Sequence, residues 1–336
     1  MVLGQLSERS TIAISHRKDA DGISSAALIR YLTDAHIFLT DYGDMVETLS
    51  GVGRANEYFI ADLGLNPNTF EGFLRQVERL SEYGQVNYID HHPLQKDFED
   101  KIRSAGVRII HSVEECASVL IYKEYAERFE ESPAMKIAAC CGAITDYMDL
   151  QPYAKKIIAS FDRQFLLYEA TVLSFSIATI GRGSSESNSQ LIHVAEELAS
   201  GKLPHQLENA SSFAQSYAER SAELISLARK NGRRMKNFAY YLTSESSTGN
   251  VANFLVGVFE VPVGVALRVE DPGYYEISLR SIQESNHDLG KIVGRIASKL
   301  NTSGGGHPHA SGARIKQQDL ERFLQLLDDE LSKPSS

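Results

Sequence analysis

Acidic and imidazole side chains recur in four short clusters in the first half of the chain: His16, Asp19 and Asp21 in "HRKDADG", Asp62 in "ADLG", Asp90, His91 and His92 in "DHHP", and Asp146 in "TDY". Carboxylates mixed with imidazole, and no thiolate, suit manganese or magnesium better than structural zinc. Manganese is the expected ion, with magnesium as its alternative. Asp19, Asp21, Asp62 and Asp146 supply four negative charges, the balance for two divalent cations. Such a pair can activate a water, orient a phosphoryl oxygen and stabilise the leaving group of an in-line displacement, so phosphoester hydrolysis is the chemistry these residues predict. Singly they say less. An Asp after a strand usually caps a helix, and Asp21 before "GISSAAL" fits that role. A lone "DHH" can be a solvated turn, and His16 a polar loop residue. The signal is their joint occurrence, each cluster abutting an apolar strand or helix.

The elements around the clusters explain why they should converge. "TIAIS" reads as a strand, "HRKDADG" as a loop and "ISSAALIRYL" as a helix; the pattern returns in "YFIADLG", a charged helix over Thr69 to Tyr83, "VNYIDHHP", "VRIIHS" and the helix around "ASVLIYKEYAERF". Strands alternating with helices imply a mostly parallel sheet, and open sheets of that kind bind ligands beyond the carboxyl ends of their strands. The clusters sit at those ends.

After "MKIAACCGAITDY" the pattern is helical from Ala154 to Ile180 and from Gln190 to Ala199, with "GRGSSESNS" (Gly181 to Ser189) as a linker between them and a long helical stretch from Pro204 to Lys236. From Phe238 the texture turns β-rich through "FAYYL", "VGVFEVPVGVALRVE" and "YYEISLRS", followed by a helix from Leu289 to Leu300, the glycine cluster "SGGGHPHASG", a strand near "ARI" and a helix from Gln318 to Leu331. The expected fold class is therefore α/β: an N-terminal mostly parallel-sheet domain over residues 1–189, a helical connector over 190–236, and a smaller α/β C-terminal domain over 237–336, with an active-site cleft between the domains. The C-terminal part offers a second candidate site. Gly304, Gly305 and Gly306 before His307 can form an anion nest of backbone amides, against the plainer reading of a flexible loop. Arg280 in "ISLRS" can clamp a phosphate, against the plainer reading of a solvated strand position.

Composition narrows the partners. Hydrophobic residues make up 43% and charged residues 23% of the 336, and no apolar run approaches the roughly 20 residues of a membrane span. The opening "MVLGQLSERS" lacks the basic and apolar regions of a signal peptide, so a cytoplasmic protein with no membrane partner is expected. Cys116, Cys140 and Cys141 have neither a disulfide framework's even count nor a zinc site's paired spacing, and read as buried thiols. A net charge of -10 opposes bulk electrostatic binding of long nucleic acid. The stretch from Asn231 to Ile315 is less repulsive, with nine basic residues against seven acidic ones. Polyanionic substrates should thus be short or locally gripped. A homodimer is the default assembly.

Taken together, "HRKDADG", "ADLG", "DHH", "TDY", "SLRS" and "GGGH" span nearly the whole chain, and with them it resembles the DHH phosphoesterase family in the form carrying a DHH-associated C-terminal domain. The resemblance implies that His16, Asp19 and Asp62 hold one metal, that Asp21, Asp62, His91 and Asp146 hold the other, and that Asp62 bridges them. It implies that Asp90 orients a neighbouring imidazole, that His92 lies by the scissile phosphate as donor or proton carrier, and that Arg280, Ser281 and the loop Gly304 to His307 grip the substrate. Several relatives place the first histidine four residues before the first aspartate, whereas His16 to Asp19 is three, which makes His16 the least secure ligand. His309 can share the role of His307. The compact soluble members of the family imply a phosphodiesterase that trims short single-stranded RNA or DNA to mononucleotides, in the manner of an oligoribonuclease or a RecJ-like exonuclease. The alternatives are a linear or cyclic dinucleotide phosphodiesterase and a 3'-phosphoadenosine 5'-phosphate phosphatase. From a different class comes a non-catalytic nucleic-acid scaffold, opposed by the near-complete ligand set; a pyrophosphatase is opposed by "SLRS" and "GGGH".

Overall fold

Parallel pairing is what carries the acid clusters to one edge. In the computed structural model, which describes residues 10–181, 187–245, 247–282 and 285–333, five strands form an all-parallel sheet. They are β1 (Thr11–His16), β2 (His36–Thr40), β3 (Glu57–Ala61), β4 (Gln85–Asp90) and β5 (Arg108–His111), in the order β2-β1-β3-β4-β5. The strands that end at His16, Ala61 and Asp90 are thus neighbours, with Ser15 beside Ala61 and Ala61 beside Ile89. "HIFLT", the edge strand β2, is an element that the sequence reading passed over.

Side chains alternate across this sheet. Ala13, Phe59, Ala61 and Ile89 face α1 (Ala20–Thr33), together with helices that come later in the chain. Ile12, Ile14, Tyr58, Ile60, Val86 and Tyr88 face the other way and pack with α2 (Met45–Gly51), α3 (Pro67–Ser81) and α4 (Lys96–Ser104). The later helices on the α1 side are α5 (Ala117–Glu124), α6 (Pro133–Thr145), α7 (Pro152–Ile158), α8 (Arg163–Ile180) and α9 (Ser187–Ala199). Both faces are covered, as parallel sheets require. The three cysteines are free and buried in this first unit.

Several local expectations shift. The helical stretch from Ala154 to Ile180 is two helices, broken where Asp162 caps α8 by accepting from the Phe165 amide at 2.8 Å. Of the supposed linker, residues 182–186 lie outside the described residues, while Ser187–Ser189 belong to α9. Nor is 190–236 purely a connector: Leu191, Val194, Ala195, Leu198, Leu207 and Ala210 are buried in the first unit's core. The two compact units are Met1–Ala218 and Glu219–Ser336, and the boundary falls within α10 (Ala210–Asn231).

The second unit is a mixed sheet of β6 (Arg233–Arg234), β7 (Phe238–Leu242), β8 (Val263–Val269), β9 (Tyr274–Ser281), β10 (Ser303–Gly306) and β11 (Ala310–Lys316), in the order β10-β11-β9-β8-β7-β6. Among the described residues of this unit, only β7 and β8 pair in parallel. The helices of this unit are α11 (Thr248–Phe259), α12 (Leu289–Lys299) and α13 (Leu320–Leu331). Val263, Val265, Leu267, Ile277 and Leu279 bury one face of the sheet with α12 and α13, and Ala239 and Ala266 pack the other with α11. The run "VGVFE" is the end of α11 and not a strand. The helix's buried positions Thr248, Val251, Ala252 and Leu255 have helical spacing, which outweighs the β-propensity of its valines. Among the described residues, no helix is long and apolar enough to cross a membrane.

Candidate metal centre

Each acid is delivered by the end of an element. His16 closes β1, and Asp19 caps α1, its Oδ1 accepting from the Gly22 amide at 2.9 Å. The cap expected at Asp21 is thus made by Asp19. Asp21 is fully buried and accepts from the Ala117 amide at 2.8 Å and the Ser118 amide at 2.9 Å, with the Ser118 hydroxyl as a third donor. It anchors the start of α5 to α1. Asp62 follows β3 in a left-handed conformation (φ 55°), with its amide donating to the Ile89 carbonyl at 3.0 Å. Asp tolerates that backbone better than most residues, and such strain is concentrated at functional sites. His91 and His92 follow β4, and Asp146 ends α6.

These side chains meet in overlapping groups whose ligand atoms lie within 4.8 Å of one another: His16 with Asp19 and Asp62, Asp21 with His91 and Asp146, and Asp62 with His91 and His92. Asp62 stands between them. Its Oδ2 is 3.5 Å from His16 Nδ1 and its Oδ1 is 3.3 Å from His91 Nε2. His91 Nε2 is also 3.3 Å from Asp146 Oδ2 and 4.0 Å from Asp21 Oδ2. His16 Nδ1 is 2.7 Å from Asp19 Oδ2, yet both of its ring nitrogens and Asp62 Oδ2 are buried with no hydrogen bond of acceptable geometry. Buried polar atoms left this way are costly unless something else satisfies them. Convergent carboxylate oxygens and imidazole nitrogens with unsatisfied atoms among them fit a pair of divalent cations.

The electrostatics reflect crowded acids. Burial, with Asp19 and Asp21 close by, raises the Asp62 carboxyl to about 7, and burial with Asp21, Asp19 and Asp62 pushes Asp146 well above the usual carboxylate range. Burial works against charge on His16, but Asp19 and then Asp41 and Asp62 lift it to about 12. His91, likewise buried, is raised to about 10 by Asp62, Asp21 and Asp146. Asp19 is held down to about 2, because His16 outweighs the effect of burial. Without metal, protons on the histidines do the neutralising.

His92 is set apart by its bonds. Its Nδ1 is 2.9 Å from Asp90 Oδ1, and its amide donates to Asp90 Oδ2 at 3.2 Å. Asp90 in turn accepts from the Tyr88 hydroxyl at 3.0 Å. The other ring nitrogen, Nε2, is 3.1 Å from the Tyr42 hydroxyl. Tyr42 and its neighbour Asp41, whose Oδ1 is 3.6 Å from His16 Nε2, belong to the site but were missed in the sequence, where "TDYGD" was the available signal. Gly64 of "ADLG" is where His92 crosses the chain. A Cβ there would lie 2.7 Å from His92 Cγ.

In the second unit Arg280 lies on β9 between Ala310 of β11 and Gly264 of β8. Its guanidinium is half-buried against the first turn of α11, where a Cβ on Gly249 would come within 2.5 Å of Nη2. Open solvation, the plainer reading of Arg280, therefore does not describe it. Ser281 Oγ is 2.9 Å from His309 Nδ1, whereas His307 is exposed and its amide donates to the Ala310 carbonyl at 2.8 Å. Gly304, Gly305 and Gly306 form the edge strand β10, paired with Ala313, Gly312 and Ser311, so the run is not a loop. Gly305 and Gly306 have φ of 150° and 142°, a conformation closed to most other residues.

Residues 236–333 match the DHHA1 domain. Solved structures share the fold over almost the full chain. PggH from Vibrio cholerae, a pGpG-specific phosphodiesterase, aligns with a TM-score of 0.60 at 15% identity, covering 95% of this chain and 98% of its own. The chain is thus similar to DHH phosphoesterases in its C-terminal DHHA1 domain and in its fold. RecJ from Thermus thermophilus in complex with Mn2+ aligns with a TM-score of 0.64 at 15% identity over 98% of this chain and 53% of its own, so the chain spans about half of that protein. The DHH domain of a member of the s1p family of ribosomal proteins aligns at 0.67 and 17% identity, covering 98% and 88%. No curated protein matches the sequence.

Proposed function

We propose that this chain is a DHH-family phosphoesterase, a two-metal phosphodiesterase that hydrolyses short oligonucleotides to mononucleotides. The observation that carries the reading is the position of Asp62, whose two carboxylate oxygens face different histidines at 3.5 and 3.3 Å. His16, Asp19 and Asp62 would hold one cation, and Asp21, Asp62, His91 and Asp146 the other. When bound, the pair supplies Lewis acidity toward the phosphoryl group and activates water for in-line attack, with manganese the proposed ion and magnesium its alternative. Asp90 and Tyr88 fix the imidazole of His92, which would donate a hydrogen bond to a phosphoryl oxygen and carry a proton to the leaving group. Arg280, Ser281, the β10 glycines and His307 would hold the substrate's nucleotide or terminal phosphate through charge-assisted hydrogen bonds.

A linear dinucleotide as the main substrate is the second reading. It is favoured by the near-complete mutual coverage with the pGpG-specific enzyme, whereas only about half of the Thermus RecJ is matched. The test is a rate comparison in manganese on labelled dinucleotides, trinucleotides, pentanucleotides and a long single strand of RNA and of DNA, with a cyclic dinucleotide, 3'-phosphoadenosine 5'-phosphate and pyrophosphate alongside. Highest rates on the short linear chains are expected. Faster release from the bisphosphate or the long strand would overturn the substrate class, and nucleic-acid binding without any turnover would leave a scaffold.

A further inference from the structure

We propose that Tyr42 is a positioning residue that holds the His92 imidazole at the reaction centre from the side opposite Asp90. The ring of His92 is engaged at both nitrogens, by Asp90 Oδ1 at 2.9 Å on Nδ1 and by the Tyr42 hydroxyl at 3.1 Å on Nε2. In the protonated ring that a proton carrier requires, Nδ1–H donates to Asp90 and Nε2–H to the Tyr42 oxygen, which aims that N–H until a phosphoryl oxygen takes it over. Two bonds at opposite nitrogens fix the ring plane, which one bond leaves free to swing. Tyr42 is itself well held. Its amide donates to Asp41 Oδ1 at 2.7 Å, Asp41 also pairs with Lys18, and the Asp44 amide donates to the Asp41 carbonyl at 3.1 Å. Arg17 reaches Asp44 at 2.8 Å, so the turn after β2 is tied to the loop after β1.

The Tyr42 ring also lies between the two sides of the centre, 4.8 Å from the His16 ring and 5.9 Å, edge-on, from that of His92. Tyr42→Phe keeps those ring contacts and deletes only the hydroxyl, which makes it the informative substitution. A group that orients a reacting imidazole acts on turnover more than on substrate binding. Its effect must also vanish when the imidazole is gone.

The kinetic test rests on the phosphodiesterase reading. In manganese, on a short oligonucleotide, Tyr42→Phe should lower kcat about tenfold, as loss of an orienting hydrogen bond does, with KM and manganese affinity changed by less than about twofold. In a His92→Ala background the same substitution should add nothing. An equal fractional loss in both backgrounds, an unchanged kcat, or a lower KM at full kcat would overturn the proposal. If the wild-type chain turns over no phosphodiester, the functional reading has failed on its own account, and the proposal is decided by ring-15N histidine NMR of the magnesium-loaded protein. A moved or broadened His92 ring signal in Tyr42→Phe is expected, and identical His92 signals in the two proteins would refute it.

Discussion

Gly64→Ala should disable the centre without touching a ligand. The new Cβ would lie 2.7 Å from His92 Cγ, 2.8 Å from its Cβ and 3.1 Å from its Cδ2. Carbon atoms rest at about 3.5–4.0 Å, so His92 must retreat by roughly 1 Å. The clash is at the root of the side chain, where rotating the ring about its own axis relieves nothing. Movement there draws Nε2 away from Tyr42 and Nδ1 from Asp90, bonds now of 3.1 and 2.9 Å. A displacement of about 1 Å in a reacting group costs on the order of a hundredfold in rate, and overpacking of this kind costs about 1–3 kcal/mol of stability. The assay is kcat on a short oligonucleotide in manganese, beside calorimetric metal titration and thermal unfolding. The three atoms nearest the new methyl all belong to His92, so metal binding by His16, Asp19 and Asp62 should persist. A folded Gly64→Ala protein with kcat within about twofold of wild type would refute the claim that the position of His92 governs turnover.

Asp62→Asn should reduce the manganese stoichiometry measured by calorimetry from two to one or none and abolish turnover, because among the described residues it is the carboxylate that faces both His16 and His91. Metal loading should expel protons. His16 and His91 are raised to about 12 and about 10, so at about pH 8 both are protonated without metal, and ligation requires the neutral ring. Affinity should therefore rise with pH, and the dependence of binding enthalpy on buffer ionisation should report at least two protons released, one from each imidazole. In the second unit, Lys333 and Arg295, at 2.6 and 2.8 Å, hold Glu330 down to about 2. A depressed carboxylate stabilises above its unfolded pKa of about 4.3, and that contribution is lost as pH falls through about 2. Glu330→Gln should lower the unfolding temperature by about 2–4 °C at neutral pH and by almost nothing at about pH 2, as read by thermal melts.

Strand-end acids, the alternation of strand and helix, and the parallel sheet were legible in the sequence because each is a local pattern. Apolar runs of period two mark "TIAIS" and "VNYID", and a parallel sheet necessarily places their carboxyl ends together. The β10 glycines and the "SLRS" strand were legible as motifs, but the pairing that turns the glycine run into an edge strand depends on β11 and was not. "VGVFE" misled because its valines favour strands while the burial of its helix follows a helical period set by the sheet beneath.

The sequence by itself determined which side chains have metal chemistry and which strand each one follows. Tertiary structure decided how they divide the work. Asp19 and not Asp21 caps α1, since Asp21 is buried against the first amides of α5, 96 and 97 residues away in the chain. Tyr42 reaches His92 across 50 residues, and only the order β2-β1-β3-β4 brings the turn after β2 to the side of the site where that ring stands. Contacts of that separation leave no local periodicity. They follow from which strands pair, a choice made by the burial of both faces of the sheet together.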